Sequence, residues 1–419
     1  MFLEKGGLTG KKNRIIIGYD LGDENSQISF CRMDGGEPET ASVVTGEEQY
    51  DFPTVLGKRK EVNQWVYGKE ARRLEEAGKG ILVENLLTLA RDGEEIEVGG
   101  EKFDAIALLA LFMKRSLALI GVSSMPDAID TLMITVDTLD HRTIEVLTQA
   151  VSIMQLKVEH VLFQSYVESF YHYMIHQPAE LWQAQVLLCD YENEQLSVYR
   201  MECNRRTTPM VAFVEDKKYS QMPEDDERFL EILKEYCGER LFSSVYLIGR
   251  GFEGEWYQNS LRYLCRGRRV FRGNNLYSKG ACYGARAKRM PEKEISQYVF
   301  LGNDKLKANI GMKVLRRGQD SYFALLDAGT SWFEAEKQCE FILESGNSFS
   351  IIVTPLTGKD SKAVEMVLHN LPKRRDRATK IQMSISMKSE KEVSVVLQDM
   401  GFGEIYPATQ REWQEEFFI

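Results

Sequence analysis

The chain lacks any paired-cysteine spacing. Its seven cysteines (Cys31, Cys189, Cys203, Cys237, Cys265, Cys282 and Cys339) are scattered, odd in number and never in CxxC, which argues against a disulfide framework or a zinc site and fits a reducing cytoplasm. Long apolar runs are missing too. The most apolar stretch, "AIALLALFMKRSLALI" at 105–120, is interrupted by Lys114 and Arg115 and falls short of a bilayer span. The opening "MFLEKGGLTGKKN" has no apolar core of a secretory leader, and residues 1–13 are expected to be disordered. A net positive charge is also lacking: the net charge of −10 argues against nucleic acid or an anionic membrane as partner, since both need a concentrated positive field. The basic runs "CRGRRVFRG" at 265–273 and "KRRDR" at 373–377 read as solvated edges, with too few aromatics between the charges to stack bases.

What the 419 residues do have is 43% hydrophobic composition, enough to bury a large core divided among two or three domains. "IIIGYDLGDENSQISF" at 15–30 reads as strand, polar turn, strand. Asp20 and Gly22 stand where such a turn aims backbone N–H groups and a carboxylate at a nucleotide and its Mg²⁺. Asp23 and Glu24 follow at once and would repel a phosphate, so the turn taken alone reads as a plain polar hairpin.

Downstream, "YGKEARRLEEA" at 67–77 reads as a short charged helix, "DTLMITV" at 130–136 as a strand, and a helix starts near Asp140 with Ile144, Leu147, Val151 and Met154 on one face. "VEHVLF" at 158–163 is a strand and "SYVESFYHYMI" at 165–175 a helix. After Pro178 the pattern repeats: "AQVLLCDYENEQLSVYRM" at 184–201 is strand, acidic turn, strand. Helices at 227–237, near 254–264 and at 276–287 and strands at 243–249 and 269–271 follow. The repetition points to a duplicated α/β unit. From about residue 300, short alternating segments such as "SFSIIVTPL", "KIQMSISMK" and "KEVSVVLQDM" signal an antiparallel β domain, with "MPEKEISQ" at 290–297 as linker. The closing "ATQREWQEEFFI" is expected to dock its aromatics rather than form a domain.

The order of these motifs resembles the seventy-kilodalton heat-shock chaperones of the actin-like ATPase superfamily, over nearly the whole chain. "IIIGYDLGDENSQIS" resembles the family's first phosphate loop, and "FPTVLG" with "YGKEARR" its Pro-Ser-x-Val segment and following helix. The stretch at 133–174 resembles the run from the Thr-Val-Pro strand to the Asn-Glu-Pro-Thr-Ala-Ala connection. "VLLCDYENEQLSVYRM" falls at the second phosphate loop, "VYLIGRGFEGEW" at the adenosine motif, and "NNLYSKGACYGARA" at the closing helix. "FILESGNSFSIIVTPLTG" and "ISMKSEKEVSVVLQDMGFG" resemble strands of the family's β-sandwich peptide-binding domain.

The resemblance implies a two-lobed actin-like, ribonuclease-H-like duplicated α/β domain, with lobes at 14–180 and 181–289, a linker at 290–299 and a β-sandwich at 300–419. Carried over residue by residue, Asp20 and Asp190 match the carboxylates that reach Mg²⁺ through water, Gln164 the residue that orients the attacking water, and Arg72 stands near the catalytic lysine. Gly22, Asn25, Ser26, Gly249, Gly251 and Lys279 match positions around the nucleotide. The second phosphate loop departs from the family: Tyr191, Glu192, Asn193 and Glu194 replace consecutive glycines and add bulk and negative charge. The interval from Met201 to Ser243 is too short for the helical subdomain that clamps adenine, and no helical lid follows the β domain. The resemblance therefore implies a chaperone-like protein in which ATP and Mg²⁺ bind weakly or not at all and whose partner is a protein or peptide. The alternative is a working Mg-ATP-dependent ATPase or small-molecule kinase with altered loops, since phosphoryl transfer rests mainly on positioned charge and metal.

Three further signals have plainer readings. His172 and His176, four apart, lack a completing ligand and read as a partly buried helix face. Ser26 has no histidine placed to activate it. Trp332 and Phe333 suit core or turn packing as well as recognition.

Overall fold

The computed structural model describes residues 14–44, 46–60, 62–93, 95–121, 129–356 and 360–419; the segment 1–13 expected to be disordered lies outside them. The chain divides into two compact units, Met1–Tyr298 and Val299–Ile419. It is a mixed α/β protein with a sheet-rich C-terminal region. Among the described residues, no helix is long and apolar enough to cross a membrane.

The first unit opens with β1 (Ile15–Leu21), β2 (Asn25–Arg32), β3 (Gly35–Thr40) and the two-residue β4 (Phe52–Pro53). A small sheet of β5 (Leu56–Arg59), β6 (Trp65–Tyr67) and β7 (Gly80–Val83) carries α1 (Lys69–Glu76). Then come α2 (Leu86–Asp92), the hairpin β8 (Glu95–Val98) and β9 (Glu101–Asp104), α3 (Ala105–Ser116), β10 (Ile129–Val136), α4 (His141–Met154), β11 (His160–Ser165) and α5 (Tyr166–Ile175). The next run is β12 (Gln185–Glu192), β13 (Gln195–Asn204), β14 (Met210–Tyr219), α6 (Asp226–Cys237), β15 (Phe242–Ile248), α7 (Gln258–Leu264), β16 (Arg269–Arg272) and α8 (Leu276–Arg289).

Two sheets built from these strands share one topology. The first runs β11-β10-β1-β2-β3 and the second has the matching order β16-β15-β12-β13-β14. In each, three strands form an antiparallel meander, a fourth pairs in parallel with the first strand and a fifth in parallel with the fourth, through crossover helices. β1 and β10 are buried almost throughout because they lie inside the sheet with both faces covered, which explains their unbroken apolar runs. Side-chain caps start the helices: Asp140 Oδ1 accepts from Thr143 N at 2.8 Å, and Ser165 Oγ from Glu168 N at 3.3 Å. α4 buries Val146, Leu147, Ala150 and Met154, so its inner face is turned away from the expected Ile144 and Val151 edge.

α8 follows the second sheet in sequence yet packs on β1, β2 and β10 of the first, and against α5. The approach is close. A Cβ on Gly18 would come within 2.2 Å of the Ser278 carbonyl oxygen, and one on Gly280 within 2.1 Å of the Ser169 carbonyl oxygen, so both positions require glycine. Several elements lie outside the expected set, among them the β5–β6–β7 sheet and α2. The β8–β9 hairpin turns on Gly99 and Gly100, both with positive φ, and β14 pairs with β13 over its length although its stretch "EDKK" at 215–218 is charged and exposed.

The second unit begins within the short β17 (Tyr298–Phe300). It adds β18 (Ala308–Arg316), β19 (Gln319–Leu326), β20 (Glu336–Ile342), β21 (Ser348–Pro355), β22 (Lys362–Val367), β23 (Lys380–Met387), β24 (Glu392–Gly401) and β25 (Glu412–Phe418). They form two four-stranded antiparallel sheets, β19-β18-β21-β22 and β20-β23-β24-β25. Alternate residues such as Ile381, Met383 and Ile385 are buried, as a sheet covered on one face requires. The closing stretch, expected only to dock its aromatics, instead forms β25 against β24, with Phe417 buried and Phe418 exposed. Trp332 is buried in a short helical turn.

Candidate functional site

The first strands of the two sheets each carry an aspartate near the carboxyl end. Asp20 lies opposite Thr135 and Gln27, and Asp190 opposite Ile248 and Ser197. Both line one cavity of about 600 Å³ in the first unit. The β1–β2 turn supplies Gly22, Asp23, Glu24 and Asn25, and the β12–β13 turn Glu192 and Asn193. The second turn is a two-residue hairpin: Asn193 and Glu194 take positive φ of 48° and 59°, the conformation a tight hairpin of this kind demands.

Tyr191 does not crowd the cavity, as its place in the second phosphate loop had suggested. Its ring lies in the core against Phe252 and Trp256, and its hydroxyl donates to the Met222 carbonyl at 2.6 Å. The glycines of the adenosine-like motif are explained by this packing: a Cβ on Gly249 would meet the Tyr191 carbonyl oxygen at 2.3 Å, and one on Gly251 the Tyr191 ring at 2.3 Å. Nor does Glu194 fill the space; it is absent from the lining. Glu192 is held at the wall by Arg250, whose backbone N and Nε donate to its two carboxylate oxygens at 2.8 and 2.5 Å. The same guanidinium reaches Glu24 at 3.1 Å, so one arginine ties the two turns together.

Deeper in, the Tyr166 and Tyr277 rings stack with centroids 4.0 Å apart and planes 6° from parallel. Tyr277 donates to Asp190 Oδ2 at 2.8 Å, and Tyr166 hydrogen-bonds Asp20. Burial pushes the Asp20 carboxyl up to about 8, with Asp190 and Asp51 adding and the Tyr166 bond opposing. Burial likewise pushes Asp190 up to about 7, with the Tyr277 bond opposing and Glu192 and Asp137 adding. Asp51 is raised by burial as well, although it accepts from Gln27 Nε2.

Of the residues singled out in the sequence, the cavity gathers Asp20, Asp190, Gly22, Asn25 and Gly249. It leaves out the other residues that the resemblance assigned to the site. Gln164 is fully buried beside Gly284 of α8, donating to Ser169 Oγ at 2.6 Å, which takes it away from any attacking water in the cleft. Arg72 stands on the exposed side of α1, 3.8 Å from Glu84. Ser26 is buried against Thr54 at 2.8 Å, Lys279 pairs with Glu37 at 3.1 Å, and Gly251 sits under Tyr191. His176 Nδ1 lies 2.7 Å from the His172 carbonyl, and the His176 ring stacks on Tyr283. Among the described residues, no group of three His, Cys, Asp or Glu is placed to hold a metal ion.

Sequence reasoning missed Asp51, Asp137, Tyr166, Arg250, Arg272, Asn274 and Tyr277. A signal existed for Asp137: it follows the strand parallel to β1, and crevices form at the carboxyl ends of parallel strands. Arg272, from a run read as a solvated edge, follows the same rule at the end of β16.

A mixed α/β unit with two like-ordered sheets and an acidic cleft, joined to an all-β unit, is the class of protein these features define. The chain belongs to the family of unknown function DUF5716, whose C-terminal model matches residues 37–303. Residues 305–419 match a second domain of unknown function, DUF8552. No curated protein matches the chain.

Proposed function

We propose that the protein has an actin-like, duplicated two-lobed domain that has lost ATP turnover, and that it works, as a chaperone-like factor, by binding a protein or peptide through its sandwich-like β unit. The matching strand orders of the two sheets, each placing an aspartate on one cleft, support the actin-like part. One observation carries the loss of turnover: the stacked Tyr166 and Tyr277 hold, through their hydroxyls, both carboxylates that the resemblance assigns to Mg²⁺. The lining also holds eight carboxyl groups against two arginines and no lysine, and even with Asp20 and Asp190 partly protonated a triphosphate would meet net repulsion. These residues do not fit a Mg-triphosphate. The seven free thiols suit a reducing cytoplasm.

Calorimetric titration of the full chain with Mg-ATP tests the reading: no saturable heat below millimolar nucleotide is expected, and micromolar affinity with measurable hydrolysis refutes it. The second reading, a working ATPase with altered loops, is favoured by the open cavity of about 600 Å³ between Asp20 and Asp190, which has room for a nucleotide.

A further inference from the structure

The walls of the cleft carry far more negative charge than they neutralise. Glu24 and Glu192 share Arg250, Asp137 pairs with Lys218, and Asp23 accepts from Thr88 N and Oγ1. The inner carboxylates have only neutral partners: Asp20 has Tyr166, Asp51 has Gln27, and Asp190 has Tyr277. Asp20 is more than nine-tenths buried and lines the cavity, yet its Oδ1 has no hydrogen-bond partner. A buried acceptor left unmade is costly. Burial lifts the Asp20 carboxyl to about 8 and keeps its proton on at neutral pH; a cation brought beside it draws that proton off and leaves a carboxylate, which accepts only. The missing group is therefore a donor, and the surrounding charge calls for a cation.

A single metal ion suits the site poorly, because no three ligand-type side chains among the described residues converge on one point. The acids are instead spread around a cavity of about 600 Å³, with Tyr166, Tyr199 and Tyr277 in its wall. Spaced negative charges with aromatic rings between them match a flexible chain bearing separated ammonium groups. Each ammonium offers three donors and no acceptor, methylenes pack on rings, and an ammonium near a ring face gains a cation–π contribution. We propose that the cleft binds an aliphatic di- or polyamine, one ammonium on the Asp20–Asp51 side and another toward Asp190. This rests on the part of the functional reading that denies the cleft to a triphosphate.

Titration of the full chain with spermidine, in the absence of Mg²⁺, tests it. Saturable one-site binding is expected, with affinity weakened about tenfold or more by Asp20→Asn and by Asp51→Asn, as loss of one charged partner implies. Glu97→Gln, on the exposed β8–β9 hairpin, leaves it unchanged, and butylamine, with one ammonium, binds at least about tenfold more weakly. Three outcomes overturn the proposal: no saturation at millimolar spermidine, undiminished affinity in both Asp variants shown to be folded by circular dichroism, or Mg²⁺ alone saturating the same site more tightly. Spermidine silence leaves the functional reading standing. Micromolar Mg-ATP binding sinks that reading in a separate titration.

Discussion

Replacing Asp399 with asparagine removes one charge from the interior of the β unit and changes almost no volume. Arg374 Nη1 and Nη2 donate to the two Asp399 oxygens at 2.6 and 2.7 Å, and the side chains are 4% and 0% exposed. Gly401 N, Thr409 N and Thr409 Oγ1 add bonds at 2.9, 3.1 and 2.7 Å. Burial opposes ionisation here, but the Arg374 bonds and the Thr409 and Gly401 donors outweigh it and hold the carboxyl well below the usual carboxylate range. Asp399→Asn leaves the guanidinium buried without its counter-charge, at a cost of about 3–5 kcal/mol. For a unit of this size that lowers the melting temperature by roughly 10–20 °C. Differential scanning calorimetry of the full chain reads the shift. The paired replacement Arg374→Met with Asp399→Leu should recover only part of it, because it removes the stranded charge but leaves the Gly401 and Thr409 donors without the Asp399 acceptor. The depressed pKa makes this contribution complete above the ordinary unfolded value of about 3.9 and lost as pH falls through the folded value. The gap between wild type and Asp399→Asn is thus full near neutrality and narrows in acid below that value. A shift under about 2 °C at pH 7, or a gap that widens in acid, refutes the reasoning.

Gly280→Ala drives a Cβ to 2.1 Å from the Ser169 carbonyl oxygen and should cost about 1–3 kcal/mol or more in urea unfolding; an unchanged midpoint contradicts the close α5–α8 packing. His176 is kept neutral by burial, which lowers its pKa to about 4, with His172 and Arg286 adding and the His172 carbonyl opposing. Its contribution is present above the unfolded histidine value near 6.5 and lost as pH falls toward about 4, so His176→Gln should flatten the decline of the urea midpoint across that window; an identical slope contradicts it. Arg250→Ala breaks exposed pairs worth about 0–1 kcal/mol, so melting should barely move. The same variant removes one of two positive charges from the cleft and should raise spermidine affinity severalfold; weaker binding argues that the arginine builds the site rather than shields it.

Strongly periodic segments were legible before any coordinates. β1, β2, β10, β12 and β15 are apolar runs bounded by polar turns, and Asp140 announces α4 as a cap. β14 was hidden because half of it faces solvent and reads as a charged loop; only pairing with β13 makes it a strand. β25 was hidden for a similar reason, since "EWQEEFF" buries little beyond Phe417. The two cleft aspartates could be found because they lie near the ends of strands, just before turns with a recognisable chemistry. Their tyrosine partners could not. Tyr166 and Tyr277 stand at the start of helices 111 positions apart and meet only because α5 and α8 cross, a fact held in glycines whose purpose is invisible until the facing backbone is known.

The seating of α8 on the first sheet sets an order of events during synthesis. β1 is made before the other strands of its sheet, yet the helix that covers it, starting at Leu276, is made more than two hundred residues later. Until then the nascent first sheet shows an uncovered apolar face, and β12 to β16 must all be made before the first sheet is sealed. Such a chain matures late and as a whole, with long-range closure as its slow step.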